Sequence, residues 1–193
     1  MKYYQEITLL PDAEVTENHI WEKVYQQLHL AIANSMQEGE KGRLGVSFPD
    51  YTVDKVVKLG RRLRIFADTE AELQHLDMKK WLLRYMDYVH IKQIRPVPDK
   101  KVSGYAIYRR YHQEANSFQK ARRYARRHNI SYDEALELFP VHEPERNLPY
   151  VQLRSETNQH KYRLYIEQIP HKEPVSVGFG SYGLDSRSTV PVF

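Results

Sequence analysis

Cysteine is absent from the 193 residues, which excludes disulfides and thiolate-held metals and agrees with a reducing compartment. No apolar run approaches the length of about 20 residues that a membrane-spanning helix needs. The opening MKYYQEITLLPDAE carries acids where a secretory signal needs its apolar region. The expectation is a soluble, cytoplasmic protein with no membrane partner. The sequence also lacks H-E-x-x-H, a D-x-D near its basic segment, and paired carboxylates flanked by histidine. No metal ligands and no cofactor are therefore expected, and any phosphodiester chemistry would rest on histidine, serine, tyrosine and the cations. Internal repeats and low-complexity tracts are missing as well. What is present is globular: 41% hydrophobic and 12% aromatic residues, including 15 tyrosines, outweigh the 28% that are charged. The length suits one large domain or two small ones.

The most informative stretch is Ser117 to His128, SFQKARRYARRH. On a helix, Gln119, Lys120, Arg122, Arg123, Arg126 and Arg127 fall within one arc of about 160°, opposite Phe118, Ala121, Tyr124 and Ala125. Asn116 and Ser117 are candidate N-caps, and Asn129 stands near the end. Between Lys101 and His128 eight basic residues face one acid, Glu114, a local net of +7 in a chain of net +4. Basicity is thus concentrated in one segment, as a polyanion contact requires. An ordinary solvated helix face mixes Lys with Glu at i,i+4 spacing. Here arginines at i, i+1, i+4 and i+5 repel one another without an anionic partner, which points to nucleic acid.

Along the chain, Lys2 to Leu10 reads as a strand that stops at Pro11. From His19 to about Met36, the residues Ile20, Trp21, Val24, Tyr25, Leu28, Ala31 and Ile32 form one apolar stripe at helical spacing. Leu44 to Phe48 and Arg62 to Ala67 read as strands. Thr69 to Glu72 has capping-box spacing and opens a helix that runs toward Met86 with a break near Asp77, and Tyr88 to Ile94 returns to strand character. This β-α-β-β-α-β order is the ferredoxin-like pattern. A stiff connector, Pro96-Val97-Pro98-Asp99, sets the expected division: an α+β chain with a ferredoxin-like domain over 1–97 and a smaller α+β domain over 98–193 that carries the arginine helix. In the second part Val102 to Tyr108 is a strand or extended arm. Ser131 to Glu134 is a second capping box, and Tyr150 to Arg154, Tyr162 to Gln168 and Ser176 to Tyr182 read as strands.

Two motifs invite readings that their context opposes. Helices 117–128 and 131–139 could form a helix-turn-helix, yet in that motif the second helix reads the groove, and here the second helix is the acidic one. Gly178 to Gly183 matches G-x-G-x-x-G, but that fingerprint needs a following helix and an acid about 20 residues on. A loop supporting a strand end fits it better. Among nine histidines, His29 borders the apolar stripe of its helix, where an imidazole can be partly buried yet reach a site, although border histidines are mostly structural. Ser155 and Tyr182 have equally plain alternatives as a strand-end hydroxyl and a packing phenol.

Together these pieces resemble the CRISPR repeat-processing endoribonucleases of subtype I-F systems, the Csy-type pre-crRNA nucleases. The resemblance covers nearly the whole chain: KYYQEITLLPD at the start, LHLAI around His29, GVSFPDY at 45–51, RRYARRH at 122–128, LPYVQLRS at 148–155, KYRLYI at 161–166, and SYGL with the VPVF end. It implies that His29 is the catalytic histidine, Ser155 the active-site serine, and Tyr182 the tyrosine beside that histidine. It implies that Arg122, Arg123, Arg126 and Arg127, with Lys120, belong to a helix in the groove of the repeat's stem-loop. Tyr162 would stack on the base pair at the foot of the stem, and Arg110 would read a guanine edge. His112, Asn116 and Thr157 complete the expected RNA-binding set. His112 stands where relatives have a glutamine, and Glu114-Ala115 replaces a basic, hydroxyl-bearing pair, which leaves the base preference at one stem position open.

The implied reaction is attack by a ribose 2′-OH on its own phosphate, with His29 as general base and Ser155 positioning the nucleophile. The implied partners are the repeat hairpin of pre-crRNA and mature crRNA and the other subunits of a type I-F surveillance complex. A catalytically silent hairpin-binding subunit and a DNA-binding regulator are the alternatives.

Overall fold

The computed structural model describes all residues except 37–40, 113–116, 140–145 and 157, and for 117–119 the backbone only. Packing divides the chain into two compact units, residues 1–110 with 148–193 and residues 111–147.

In the larger unit the first sheet comprises β1 (Tyr3–Leu9), β2 (Gly45–Ser47), β3 (Arg62–Ala67), β4 (Val89–Ile91) and β5 (Arg95–Pro96). The strand order is β2-β3-β1-β4, with β5 also paired to β1. The β1–β3 ladder is antiparallel from Tyr3↔Ala67 to Thr8↔Arg62, and β2 and β4 are antiparallel to their neighbours too. Helix α1 (Glu17–Ser35) buries all seven residues of the expected stripe. Tyr25, Leu28 and Ile32 are fully enclosed, and burial of each such side chain stabilises the fold by about 1.5–3 kcal/mol.

The capping box at Thr69 forms as its spacing predicts. Thr69 Oγ1 accepts from the Glu72 N–H at 3.3 Å, and Glu72 Oε2 accepts from the Thr69 N–H at 2.9 Å. It starts α2 (Glu70–Leu76), which ends at Asp77, a left-handed residue with φ of 43° whose side chain then caps α3 (Met78–Trp81). The expected break near Asp77 is therefore a cap-to-cap junction.

The second sheet of this unit has the order β7-β8-β6-β9, with β6 (Gly104–Tyr111), β7 (Tyr150–Arg154), β8 (Lys161–His171) and β9 (Val190–Val192). Residues 176–182 form bends and turns and no named strand, contrary to expectation; their contribution to pairing is one isolated bridge, Gly42↔Phe179. Gly178 and Gly183 turn the chain there with φ of 87° and 70°, and a Cβ at either would lie 2.5–2.6 Å from Lys41 or Val46 side-chain atoms. The glycine fingerprint is thus a backbone requirement. Strand pairing resumes at β9, against β6, where Pro191 is accommodated on an edge strand.

A single core runs through both sheets, joining Ile7, Phe48 and Leu63 with Ala106, Val151, Leu153 and Leu164. The compact division therefore falls around the arginine helix and does not coincide with the 97/98 boundary drawn from the proline-rich connector.

The smaller unit is built on α4 (Ser117–His128) and α5 (Tyr132–Glu137). Its buried residues are Ala121, Ala125 and Ala135, flanked by Tyr124, Ile130, Tyr132, Leu136 and Phe139. Asn129, with φ of 51°, ends α4, and the Ile130 N–H reaches back to the Ala125 carbonyl at 3.2 Å, a Schellman-type closure. Ser131 and Glu134 form the second capping box. Among the described residues no helix is long and apolar enough to cross a membrane.

Candidate active site and arginine helix

Within the larger unit an open cleft of about 420 Å³ is lined by His29, Arg110, Arg154, Ser155, Glu156, Asn158, His160, Tyr162 and Tyr182. It brings together five of the residues singled out in the sequence: His29, Ser155, Tyr182, Arg110 and Tyr162. Their sequence separation is bridged by α1, the ends of β6, β7 and β8, and the glycine turn.

The imidazole of His29 is fixed from two sides. Its Nδ1 lies 3.0 Å from the carbonyl oxygen of Ser181. A carbonyl only accepts, so Nδ1 carries a proton, and in the neutral ring Nε2 is then the nitrogen with the free lone pair. The ring also stacks on Tyr182, with centroids 4.1 Å apart and planes 13° from parallel. One turn earlier on the same helix face, the Tyr25 hydroxyl donates to the Tyr182 carbonyl at 2.9 Å. Residues i and i+4 of α1 thus hold adjacent carbonyls of the glycine turn. That turn is closed by Gly183 N–H to Gly180 O at 2.8 Å and anchored to β2 by Val46 N–H to Gly183 O at 3.0 Å.

A tyrosine network continues from there. The hydroxyls of Tyr182 and Tyr162 are 2.7 Å apart, and the Arg110 guanidinium sits 5.6 Å from the centre of the Tyr162 ring and 6.0 Å from that of Tyr182. Burial, followed by the bond to Tyr182, pushes the Tyr162 phenol well above its ordinary range, against a smaller opposing effect from Arg110. Burial likewise raises the Tyr25 phenol well above 10. Both remain protonated at any physiological pH.

Ser155 follows β7 at the mouth of the β7–β8 hairpin. Its N–H donates to the His160 carbonyl at 2.9 Å, and its carbonyl accepts from Gln159 N–H at 2.8 Å. Gln159 has φ of 58°. The hairpin is tied to the helix of His29 by Gln26, which accepts from the Arg154 N–H at 3.1 Å and donates to Glu156 Oε1 at 3.2 Å. Gln26 precedes His29 by less than one turn, so the serine and the imidazole share a rigid reference. Sequence reasoning missed Gln26, Arg154 and the carbonyl of Ser181. Tyr25 had a signal in its i−4 spacing from His29; a backbone carbonyl has none.

In the smaller unit Lys120, Arg122, Arg123, Arg126 and Arg127 are all exposed on α4, with Ala121 and Ala125 buried behind them. Among the described residues no carboxylate forms an ion pair with these five cations. Arg122 lies 5.8 Å over Tyr132, and Tyr124 stacks on His128 at 4.1 Å. His112 is exposed just beyond β6. Asn116 and Thr157, the remaining residues of the expected RNA-binding set, lie outside the described residues, as do Glu114 and Ala115. Among the described residues no group of three or more His, Asp or Glu side chains is placed to hold a metal.

The family model described as CRISPR-associated protein (Cas_Csy4) matches residues 4–193. Two curated relatives named CRISPR-associated endonuclease Cas6/Csy4 align over 195 residues, covering 100% of this chain and 100% of each relative. The one from Escherichia coli (strain UTI89 / UPEC) is 30% identical, and the one from Pseudomonas aeruginosa (strain UCBPP-PA14) is 32% identical. A solved structure described as an RAMP protein binding different RNA substrates overlaps with a TM-score of 0.37 at 12% identity, covering 98% of this chain and 100% of that one. With a match that spans the arginine helix, the glycine turn and all five cleft residues, this chain belongs to the Csy4 family of CRISPR-associated proteins.

Proposed function

We propose that this protein is an endoribonuclease that cleaves the stem-loops of CRISPR repeats in pre-crRNA. The ribose 2′-OH attacks its own phosphate, leaving a 2′,3′-cyclic phosphate and a 5′-OH, without a metal. The observation that carries this reading is the pinned imidazole: its Nδ1–H is committed to the Ser181 carbonyl, and Nε2 is left as the acceptor in a cleft that also holds Ser155. His29 takes the 2′-OH proton, an effect worth about 10²–10⁴ in rate. Ser155 aligns the 2′-oxygen with the leaving oxygen, and Tyr182 fixes the plane of the imidazole. Arg110 and Arg154 supply positive charge for the phosphate. Tyr162 offers a ring for stacking at the foot of the stem.

The exposed cations of α4 bind phosphates of the stem. A-form RNA has a deep, narrow major groove that a helix enters only near an open end, which suits a short hairpin. His112, Asn116 and Thr157 are assigned to the same RNA. On this reading the protein stays on the crRNA 3′ hairpin and joins the other subunits of a type I-F complex in the cytoplasm. The antiparallel order β2-β3-β1-β4 supports a ferredoxin-like assignment for the first sheet and its helices.

The test is cleavage of the cognate repeat hairpin in EDTA, comparing all-ribose RNA with RNA bearing a single 2′-deoxy before the scissile phosphate. Cleavage of the all-ribose strand alone is expected. Binding without cleavage of either strand would instead assign a silent hairpin-binding subunit.

A further inference from the structure

The pinned base leaves one proton unaccounted for. As the P–O5′ bond breaks, the departing alkoxide needs a proton, and His29 cannot give one in the same step because Nε2 is receiving the 2′-OH proton while Nδ1–H is held by Ser181. The other groups of the cleft are poor donors. Arginines do not release protons near neutrality. The Tyr162 phenol is pushed well above its ordinary range and shares its hydrogen bond with Tyr182. Glu156 is a carboxylate whose Oε1 already accepts from Gln26.

Among the described residues that line the cleft, His160 carries a second imidazole, a group suited to giving a proton near neutrality. His160 stands opposite Ser155: the ladder pairs Leu153↔Tyr162 and Arg154↔Lys161, and the next pair is closed by Ser155 N–H to His160 O at 2.9 Å. Directly opposed residues share a face with their Cβ atoms about 4.5–5.5 Å apart, and alternation puts His160 on the same face as Tyr162. That is the face through which Tyr162 reaches Tyr182 and, behind its ring, His29. The His160 backbone is fixed by its own N–H, which donates to Asn158 Oδ1 at 3.1 Å, while the residue is exposed and lines the cleft together with His29.

We propose that His160 is the general acid of the reaction, paired with His29 as the general base. The inference rests on the 2′-OH mechanism proposed above. The 2′-OH proton passes to His29 Nε2 as the O2′–P bond forms. The P–O5′ bond breaks, its electron pair stays on O5′, and the imidazolium of His160 delivers a proton there. The products are the cyclic phosphate and the 5′-OH, with one proton gained by His29 and one lost by His160. The charged and titratable groups that line the cleft with His160 are Glu156, Arg154, Arg110 and His29.

The experiment is single-turnover cleavage of two hairpins, one with the natural 5′-oxygen and one with a bridging 5′-sulfur at the scissile phosphate. A thiolate leaves without protonation, so it has no need of the acid. His160→Gln and His160→Ala are expected to cleave the oxygen substrate about 10²–10⁴ times more slowly, to bind the hairpin as the wild type does, and to cleave the sulfur substrate at close to the wild-type rate. His29→Ala should be slow on both. With wild-type protein, the alkaline limb of the pH–rate profile should be present for oxygen and missing for sulfur. Wild-type rates for the His160 variants on the oxygen substrate, or equal slowing on both substrates, would overturn the assignment. Cleavage of a 2′-deoxy hairpin by the wild type would instead mean that the 2′-OH mechanism itself is at fault.

Discussion

The two compact units use charge in opposite ways. In the larger one, the buried carboxylate of Glu6 accepts from Arg64 at 2.8 Å and from Lys92 at 2.6 Å, Arg62 pairs with Asp50, and Arg109 pairs with Glu167. In the smaller one, five exposed cations on α4 have no ion-pair partner among the described residues, and the described packing behind them is Ala121, Ala125 and Ala135 with Tyr124, Ile130, Tyr132, Leu136 and Phe139 around them. Pairing lets a buried charge such as Glu6 be accommodated inside the fold. Like charges gathered on one helix face repel one another, and a bound anion would relieve that repulsion. On the proposed function, the larger unit carries the chemistry and the smaller one the contact with the polyanion.

The sharpest way to break this contrast is to remove chemistry without touching binding. His29→Ala should reduce cleavage by about 10²–10⁴ while hairpin affinity is retained, because the proposed phosphate contacts are made by the arginines and not by His29. Single-turnover rates and a binding titration check this. Parallel loss of binding would mean that the imidazole holds the glycine turn in place and that the units are not functionally separable.

Charge pairing in the larger unit is tested at Glu6. Burial alone would raise this carboxyl, but the hydrogen bonds from Lys92 and Arg64 overcome it and hold it below the ordinary value of 4.5. A depressed carboxyl contributes stability that is present above its unfolded value and is lost as pH falls through the folded one. Thermal stability should therefore fall on acidification below about pH 4.5, and Glu6→Gln should flatten that dependence. At neutral pH the same substitution leaves the buried Arg64 guanidinium without its carboxylate, though still bonded to the Phe193 carbonyl, and should cost up to about 3–5 kcal/mol in chemical denaturation. A loss well under 1 kcal/mol would show that the pair is not essential to the larger unit.

How much of this was legible in the sequence follows the same division. Features set by local spacing were readable: the α1 stripe, the α4 face, both capping boxes and the break at Asp77. Features that depend on chain segments far apart were not. Nothing in periodicity shows that Gln26 clamps the Ser155 hairpin, that Ser181 presents its carbonyl to His29, or that Glu6 and Arg64 meet across β1 and β3. Ser176 to Tyr182 looked like a strand from its composition, yet the positive φ at Gly178 and Gly183 makes a turn of it, and β9 takes up the pairing instead. His29, Ser155 and Tyr182 were found through family resemblance, whereas the cleft that gathers them is a product of tertiary packing.

The smaller unit should respond to charge removal where the larger responds to pairing. Arg123→Ala with Arg127→Ala should weaken hairpin binding and flatten its dependence on salt, by about 0.9 in log K per log unit of salt for each phosphate left without its cation, taking duplex DNA as the guide. Removing their mutual repulsion should leave the free helix no less stable. A titration across several salt concentrations with an unchanged slope would contradict the assignment of α4 to phosphate.

The smallest effect compares one deletion in two settings. Thr69 and Ser131 form the same capping box, and replacing either by Ala should cost about 1 kcal/mol of local stability. In the larger unit that cost falls on α2, whose Leu73 and Leu76 are anchored in an extensive core, so Thr69→Ala should lower the melting temperature slightly and leave RNA binding unchanged. In the smaller unit it falls on α5, which has Ala135 as its buried residue and supports α4 through Leu136 and Phe139. Ser131→Ala should therefore raise amide exchange across α4 and α5 and weaken the hairpin complex, although Ser131 itself carries no charge. Equal effects of the two substitutions on binding would show that the small unit does not depend on its caps, and that its order in the free protein has another source.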